Sequence, residues 1–136
     1  MKFVALLGAA GLAGIGAVHA AWGLGSSWPM RTREELADAV VGNDETPGPE
    51  ACFVMAGVAI SAAALLAGAG GQGRGPRTAR WMIAAGLAAR GVLGGRAATR
   101  VLGLPDPSER FVRLDTIVYR PLCLTLAAAS ATAAAN

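Results

Sequence analysis

The sequence predicts an all-α fold, a polytopic membrane protein with four transmembrane helices in one bundle. Only 15% of the 136 residues are charged and 54% are hydrophobic, whereas soluble domains contain about 25% charged residues. The hydrophobic residues also form long runs rich in Ala, Leu, Val and Gly, which is typical of helices that pack closely in lipid. We therefore expect residues 1–136 to form a single membrane domain.

The first transmembrane helix is predicted at about residues 3–25. Its apolar run of about 22 residues is longer than the core of a typical signal peptide and long enough to span a bilayer. Glycines along this run leave a smooth face that another helix can approach closely; they are Gly8, Gly11, Gly14 and Gly16. Such Gly-rich faces make packing within the bundle, or a homo-oligomer, possible.

The first connection is polar, and a short surface helix is predicted within it at about 33–41. Thr32-Arg-Glu-Glu35 has the spacing of a capping box, and Gly42 is suited to end the helix. The second transmembrane helix is predicted at about 50–69, directly after Pro49, a residue suited to a first helical turn.

The third helix is predicted at about 76–102, between a Gly-rich turn and Gly103. The last helix is predicted at about 107–134, with Asp106 as its cap. Pro121 should kink this helix, because its ring removes one backbone hydrogen bond and crowds the preceding turn. Four membrane crossings place both termini on one side. Because the first loop is long and acidic, we expect the termini to lie on the cytoplasmic side, in a bacterial plasma membrane.

The charge and cysteine patterns exclude several classes of protein. The net charge is only +3, and the arginines are not interleaved with aromatic residues, so nucleic acid is not an expected partner. Cys52 and Cys123 form neither a metal-ligand pattern nor a disulfide framework, and are expected to be small packing residues. Phosphate-binding loops, nucleophile elbows and haem motifs are absent from the sequence. We therefore expect no cofactor and no metal.

The unusual polar and aromatic residues of all four helices lie towards the membrane face opposite the termini. They are His19, Trp22, Trp28, Glu50, Cys52, Arg90, Arg96, Arg100, Asp115, Tyr119 and Cys123. An arginine deep in a bilayer must pair inward or face water. We therefore predict one polar pocket at this face, in which Asp115 lies near Arg90 or Arg96, and Glu50 and His19 lie across the same opening.

Simpler explanations exist for the individual residues. Arginine–carboxylate pairs can merely fix helix order, and Glu50 is an ordinary residue for a first helical turn. His19 can be a packing residue, and Tyr119 and the tryptophans can belong to an aromatic belt. Long basic side chains near helix ends reach towards headgroups, which would explain Arg100, Arg113 and Arg120. These explanations account less well for the concentration of all these residues on one side.

Several motifs carry a resemblance to a known family. They are Phe111, Leu114-Asp115-Thr116, Tyr119-x-Pro121-Leu122-Cys123, His19-Ala-Ala-Trp22 with Trp28-Pro29, and the helix from Trp81 to Arg96. Together they resemble a family of small, mainly actinobacterial membrane proteins, domain of unknown function 3995. The resemblance implies a four-helix membrane protein without an assigned function. It also implies a set of characteristic residues, namely Trp22, Arg90, Arg96, Asp115, Tyr119 and Pro121.

Three functional hypotheses follow from these residues. The first is an acid/base enzyme, of the isomerase or cyclase type, acting on a lipophilic small molecule such as an isoprenoid. Asp115 and Glu50 would be its catalytic residues, and its substrate-binding residues would be Arg90, Arg96, Tyr119, His19, Trp22 and Trp28. The second is a non-catalytic protein that binds lipid or packs against a partner. The third is a small proton-coupled transporter, although such proteins usually place an ionisable residue near the membrane midplane.

Overall fold

The structure is a computed structural model that describes residues 2–136, and these residues form an all-α fold, as predicted. Six helices follow one another along the chain. They are α1 (Lys2–Gly23), α2 (Arg33–Val40), α3 (Pro49–Ala67), α4 (Arg74–Leu93), α5 (Gly95–Val101) and α6 (Glu109–Ala135). Helix α6 contains a π-helical turn, Asp115–Tyr119, between two α-helical parts.

Three of these helices are long and apolar enough to cross a membrane. Their mean hydropathies are 1.8 for α1, 2.0 for α3 and 1.3 for α6. Helix α4 has 20 residues but is not among the three. Its arginines lower its hydropathy, and they are Arg74, Arg77, Arg80 and Arg90.

The helices pack around α1, which lies against α3 and α6, while α4 lies against the C-terminal part of α6. Small residues allow these close approaches. A Cβ atom added at Gly8 would lie 2.6 Å from Cβ of Ala129, and one added at Gly16 would lie 2.8 Å from the side chain of Ile60. The glycines at positions 8 and 16 therefore serve contacts within the chain.

The predicted third helix, 76–102, is divided in the structure at Gly94. Helix α4 ends at Leu93 and α5 begins at Gly95. Gly94 has φ +81°, a backbone conformation that residues with a side chain rarely adopt. The chain changes direction here, and this break positions the polar residues described below.

A π-helical turn precedes Pro121, the residue at which the sequence predicts a kink. The backbone N–H of Arg120 donates to the carbonyl of Asp115, five residues earlier. A π turn adds one residue to the helical repeat. Pro121, which has no N–H, then lies in the first turn of the following α-helix, where a proline is well tolerated.

At the opposite end of the bundle, the Arg80 side chain is 1% exposed. Its Nε donates to the carbonyl of Leu65 at 2.7 Å, and one Nη donates to the carbonyls of Ala69 at 3.3 Å and Gly71 at 3.0 Å. These oxygens belong to the last turn of α3 and the loop that follows it. Arg80 therefore fastens α4 to the C-terminus of α3, a contact that the sequence did not indicate.

Candidate functional site

Asp115 lies at the break between α4 and α5, where it is 5% exposed. Its Oδ1 accepts a hydrogen bond from Nη2 of Arg90 at 2.6 Å, and its Oδ2 accepts one from the backbone N–H of Gly95 at 2.7 Å. The structure thus confirms the predicted contact between Asp115 and Arg90. Both carboxylate oxygens have a partner within the chain.

Aromatic side chains of α6 surround this ion pair. The Phe111 ring lies directly against Gly95, where an added Cβ would collide with it. The ring centroids of Phe111 and Tyr119 are 6.1 Å apart. The Tyr119 hydroxyl donates to the carbonyl of Ala39 at 2.7 Å. Tyr119 therefore anchors α2 to α6.

Arg120 has a structural use that differs from the headgroup contact expected from the sequence. Its Nε donates to the carbonyl of Gly91 and its Nη2 to that of Val92, each at 2.8 Å. Both carbonyls lie in the last turn of α4, where backbone oxygens have no partner inside the helix. Arg120 thus completes the hydrogen bonding of this helix end.

In the part of the chain that the structure describes, neither Glu50 nor Arg96 forms a salt bridge or a side-chain hydrogen bond with Asp115. Glu50 is exposed at the second position of α3, and Arg96 is exposed on α5. Among residues 2–136, the salt bridges are Arg90–Asp115 at 2.6 Å and Arg110–Asp38 at 3.6 Å. The structure therefore brings Arg90 and Asp115 together, whereas Arg96, the residue after Gly95, has an exposed side chain that is not paired with Asp115.

A cavity of about 690 Å³ lies between the end of α1, helix α2, the loop after it and the start of α3. His19 and Trp22 line it, as do polar groups of the first loop. Most of its wall is apolar, including Leu36, Val40, Val54, Met55, Leu102 and Leu104. Neither Asp115 nor Glu50 is part of this wall.

His19 is one of the polar residues that line the cavity. Its Nδ1 lies 2.8 Å from the carbonyl oxygen of Ile15, which can only accept, so Nδ1 carries the hydrogen. In the neutral ring Nε2 is then an acceptor. The ring also packs against Trp22, with centroids 4.8 Å apart. The Trp22 Nε1 donates to the carbonyl of Trp28 at 2.7 Å, while the Trp28 side chain itself is exposed.

Arg33 closes the cavity on the side of the first loop. It donates to the carbonyls of Trp22 at 3.0 Å and Ser26 at 2.7 Å, and to the Thr46 hydroxyl at 3.1 Å. No functional role was predicted for Arg33 from the sequence. A signal was present, because a basic residue in the first turn of a helix is electrostatically unfavourable and therefore indicates another use.

Helix α2 forms one wall of the cavity, and its start has the predicted capping contact. The Thr32 hydroxyl accepts from the backbone N–H of Glu35 at 3.1 Å. The pKa of Glu34 is lowered by two hydrogen bonds to its carboxylate. The larger effect comes from the backbone N–H of Glu34 itself, and the smaller one from the Thr32 side chain. A lowered pKa in the folded state stabilises the fold above the pKa of the unfolded chain, and this contribution is lost as the pH falls through the folded-state pKa.

Three helices that are long and apolar enough to cross a membrane are consistent with a small α-helical membrane protein. Residues 12–130 match the model of the family described as "Protein of unknown function (DUF3995)", and the chain belongs to this family. The match confirms the resemblance carried by the motifs around Trp22 and Asp115. No curated protein and no solved structure matches the chain.

Proposed function

We propose that this protein is a non-catalytic, four-helix membrane protein that binds a lipophilic small molecule in the cavity beside α2. The observation that carries the proposal is the cavity itself. Its volume is about 690 Å³, within the range of about 300–1,000 Å³ of small-molecule sites. Its wall is mostly apolar, and its few polar groups lie at one end of two membrane-spanning helices.

Helix α4 is the proposed fourth span. Its 20 residues correspond to about 30 Å at 1.5 Å per residue, the thickness of the hydrocarbon layer. Its two inner arginines are held within the protein, Arg80 by carbonyls and Arg90 by Asp115. Arg74 and Arg77 lie in its first turn, at headgroup level. Four spans put both termini on one side, and the long acidic first loop favours the cytoplasmic side for them.

The cavity favours a ligand with an apolar body and a hydroxyl group. Leu36, Val54 and Met55 offer apolar contacts, and the Trp22 ring offers a flat face. The Nε2 atom of His19 would accept the hydrogen bond of the hydroxyl. An isoprenoid alcohol has this combination of groups.

The surroundings of the Asp115 and Glu50 carboxylates favour ligand binding over acid/base catalysis as the function of this protein. A general base must come within about 2.6–3.2 Å of the proton that it removes. Both oxygens of Asp115 are occupied by Arg90 and Gly95, and Glu50 is exposed at the start of α3. Neither group therefore faces a ligand in the cavity.

Tryptophan fluorescence tests this proposal. Substituting Trp28→Phe and Trp81→Phe leaves Trp22 as the only one of three tryptophans, at the cavity wall. We expect farnesol, a C15 isoprenoid alcohol, to change Trp22 emission saturably in the detergent-solubilised protein. Its methyl ether should bind up to about tenfold more weakly, because it cannot donate a hydrogen bond to His19.

A pair of alanine substitutions on α3 provides the matched control. Ala51→Phe places a ring in the cavity, whereas Ala64→Phe adds the same ring to an exposed position of the same helix outside it. Binding should be lost in the first variant and retained in the second, with helicity checked by circular dichroism. Equal binding to both variants would show that the ligand does not enter this cavity.

A further inference from the structure

An open groove of about 350 Å³ lies between α5 and the first turns of α6. Arg96 of α5 forms one side, and the other side is formed by Glu109, Val112, Arg113, Thr116 and Ile117. These five residues of α6 follow the spacing of a single helix face. From Glu109 to Ile117 the face extends about 12 Å along the helix. This helix face is charged at the Glu109 end and apolar at the Ile117 end.

Three charged side chains in this groove have no partner within the chain. Among residues 2–136, the Arg96 and Arg113 guanidinium groups form neither a side-chain hydrogen bond nor a salt bridge, and the same holds for the Glu109 carboxylate. Two cations and one anion therefore face the same open space. Their complement is a ligand that carries both a phosphate and an ammonium group, because guanidinium groups pair strongly with phosphate.

In the four-span topology proposed above, the groove lies at the level where lipid headgroups meet acyl chains. Helix α6 has 27 residues, more than the roughly 20 needed to cross the hydrocarbon layer. Its first turns therefore extend to the headgroup region. Further along the helix, Ile117 is 63% exposed and Val118 is 44% exposed, which suits contact with acyl chains.

We propose that this groove binds the headgroup of an aminophospholipid such as phosphatidylethanolamine. Arg96 and Arg113 hold the phosphate, and Glu109 accepts hydrogen bonds from the ammonium group. An acyl chain lies along Val112 and Ile117. The site is separate from the cavity that contains His19; it rests on the proposed membrane topology but not on ligand binding in that cavity.

Native mass spectrometry of the detergent-solubilised protein with phosphatidylethanolamine tests the phosphate contact. Substituting both Arg96→Gln and Arg113→Gln should weaken lipid binding about tenfold or more, since charged hydrogen bonds to phosphate are lost. The matched control, Arg74→Gln with Arg77→Gln, removes the same charge at the other end of α4 and should leave binding unchanged. If the Arg96/Arg113 variant bound the lipid as the parent protein does, the proposal would be wrong.

Three further binding measurements identify the chemical class of the ligand. Phosphatidylglycerol has the phosphate without the ammonium group and should bind more weakly than phosphatidylethanolamine. Glu109→Gln should remove this preference. Equal binding of the two lipids by the parent protein would overturn the assignment of an amino headgroup. Soluble phosphoethanolamine should compete poorly, and competition as strong as that of the lipid would overturn a membrane source for the ligand.

Discussion

Asp115 is the carboxylate that lies at the break between α4 and α5. It accepts from the Arg90 side chain and from the Gly95 backbone, and it is almost fully buried. Charges in a low-dielectric interior are tolerated only in pairs, because each alone has lost its hydration. At the scale of single residues, Asp115 therefore holds the helix break in place.

Removing the Asp115 charge should destabilise the protein strongly. Asp115→Asn keeps an acceptor for Gly95 but leaves Arg90 without a counter-charge, and we expect the free energy of unfolding to fall by about 3–5 kcal/mol. Chemical unfolding in detergent, followed by circular dichroism, measures this change. Asp38→Asn breaks the more exposed pair with Arg110 and should change stability by no more than about 1 kcal/mol.

The double substitution Arg90→Met with Asp115→Asn distinguishes a coupled pair from two independent losses. Without either charge, no ion is left uncompensated, so this variant should be more stable than Asp115→Asn alone. The single variant Arg90→Met completes the comparison. If the double variant lost as much unfolding free energy as the two single variants together, the two side chains would contribute independently and the ion pair would add nothing.

At the scale of elements, the break between α4 and α5 depends on two glycines with different requirements. Gly94 needs its positive φ, and an added Cβ there would lie 3.2 Å from Oδ2 of Asp115. Gly95 needs the absence of a side chain, because the Phe111 ring occupies that space. The break, the ion pair and the packing of α6 are therefore one local arrangement.

Alanine substitutions test this arrangement at three glycines. Gly94→Ala should cost about 1–3 kcal/mol of stability through backbone strain, and Gly95→Ala about 1–3 kcal/mol through overpacking against Phe111. Gly86→Ala is the control, since Gly86 lies within α4 with nothing within 4 Å of the added Cβ. It should be neutral or stabilising by up to about 1 kcal/mol. Unfolding midpoints that fall equally for all three would exclude a special role for the break.

At the scale of the whole molecule, the proposed four-span topology makes opposite predictions for the second and third loops. Single cysteines are introduced at Gln72 or Asp106 after both native cysteines are replaced, and are labelled in intact cells with a membrane-impermeant maleimide. Because α4 lies between them, only Asp106→Cys should react from outside if the termini are cytoplasmic. Equal labelling of the two positions would show that α4 does not cross the membrane.

Much of this architecture could be predicted from the sequence because long apolar runs and caps are local signals. The starts of α2 and α3, and the Thr32 cap, belong to this class. The cap predicted at Asp106 was wrong, because Ser108 caps α6 and accepts a hydrogen bond from the backbone N–H of Phe111. The Arg90–Asp115 contact was also predictable, since a buried arginine needs a partner. The break at Gly94 was not, because it depends on a carboxylate 21 positions away in the chain. The cavity was missed for a similar reason, since its walls come from the first loop and three other segments.

The buried Arg80 side chain has a consequence for how the chain enters the membrane. All its nearby acceptors are the carbonyls at the end of α3 and in the following turn, together with the Gln72 side chain. If α4 entered the hydrocarbon layer alone, this guanidinium group would have no acceptor, at a cost of a few kcal/mol. In the proposed four-span topology, helices α3 and α4 are therefore expected to enter the membrane together as a hairpin.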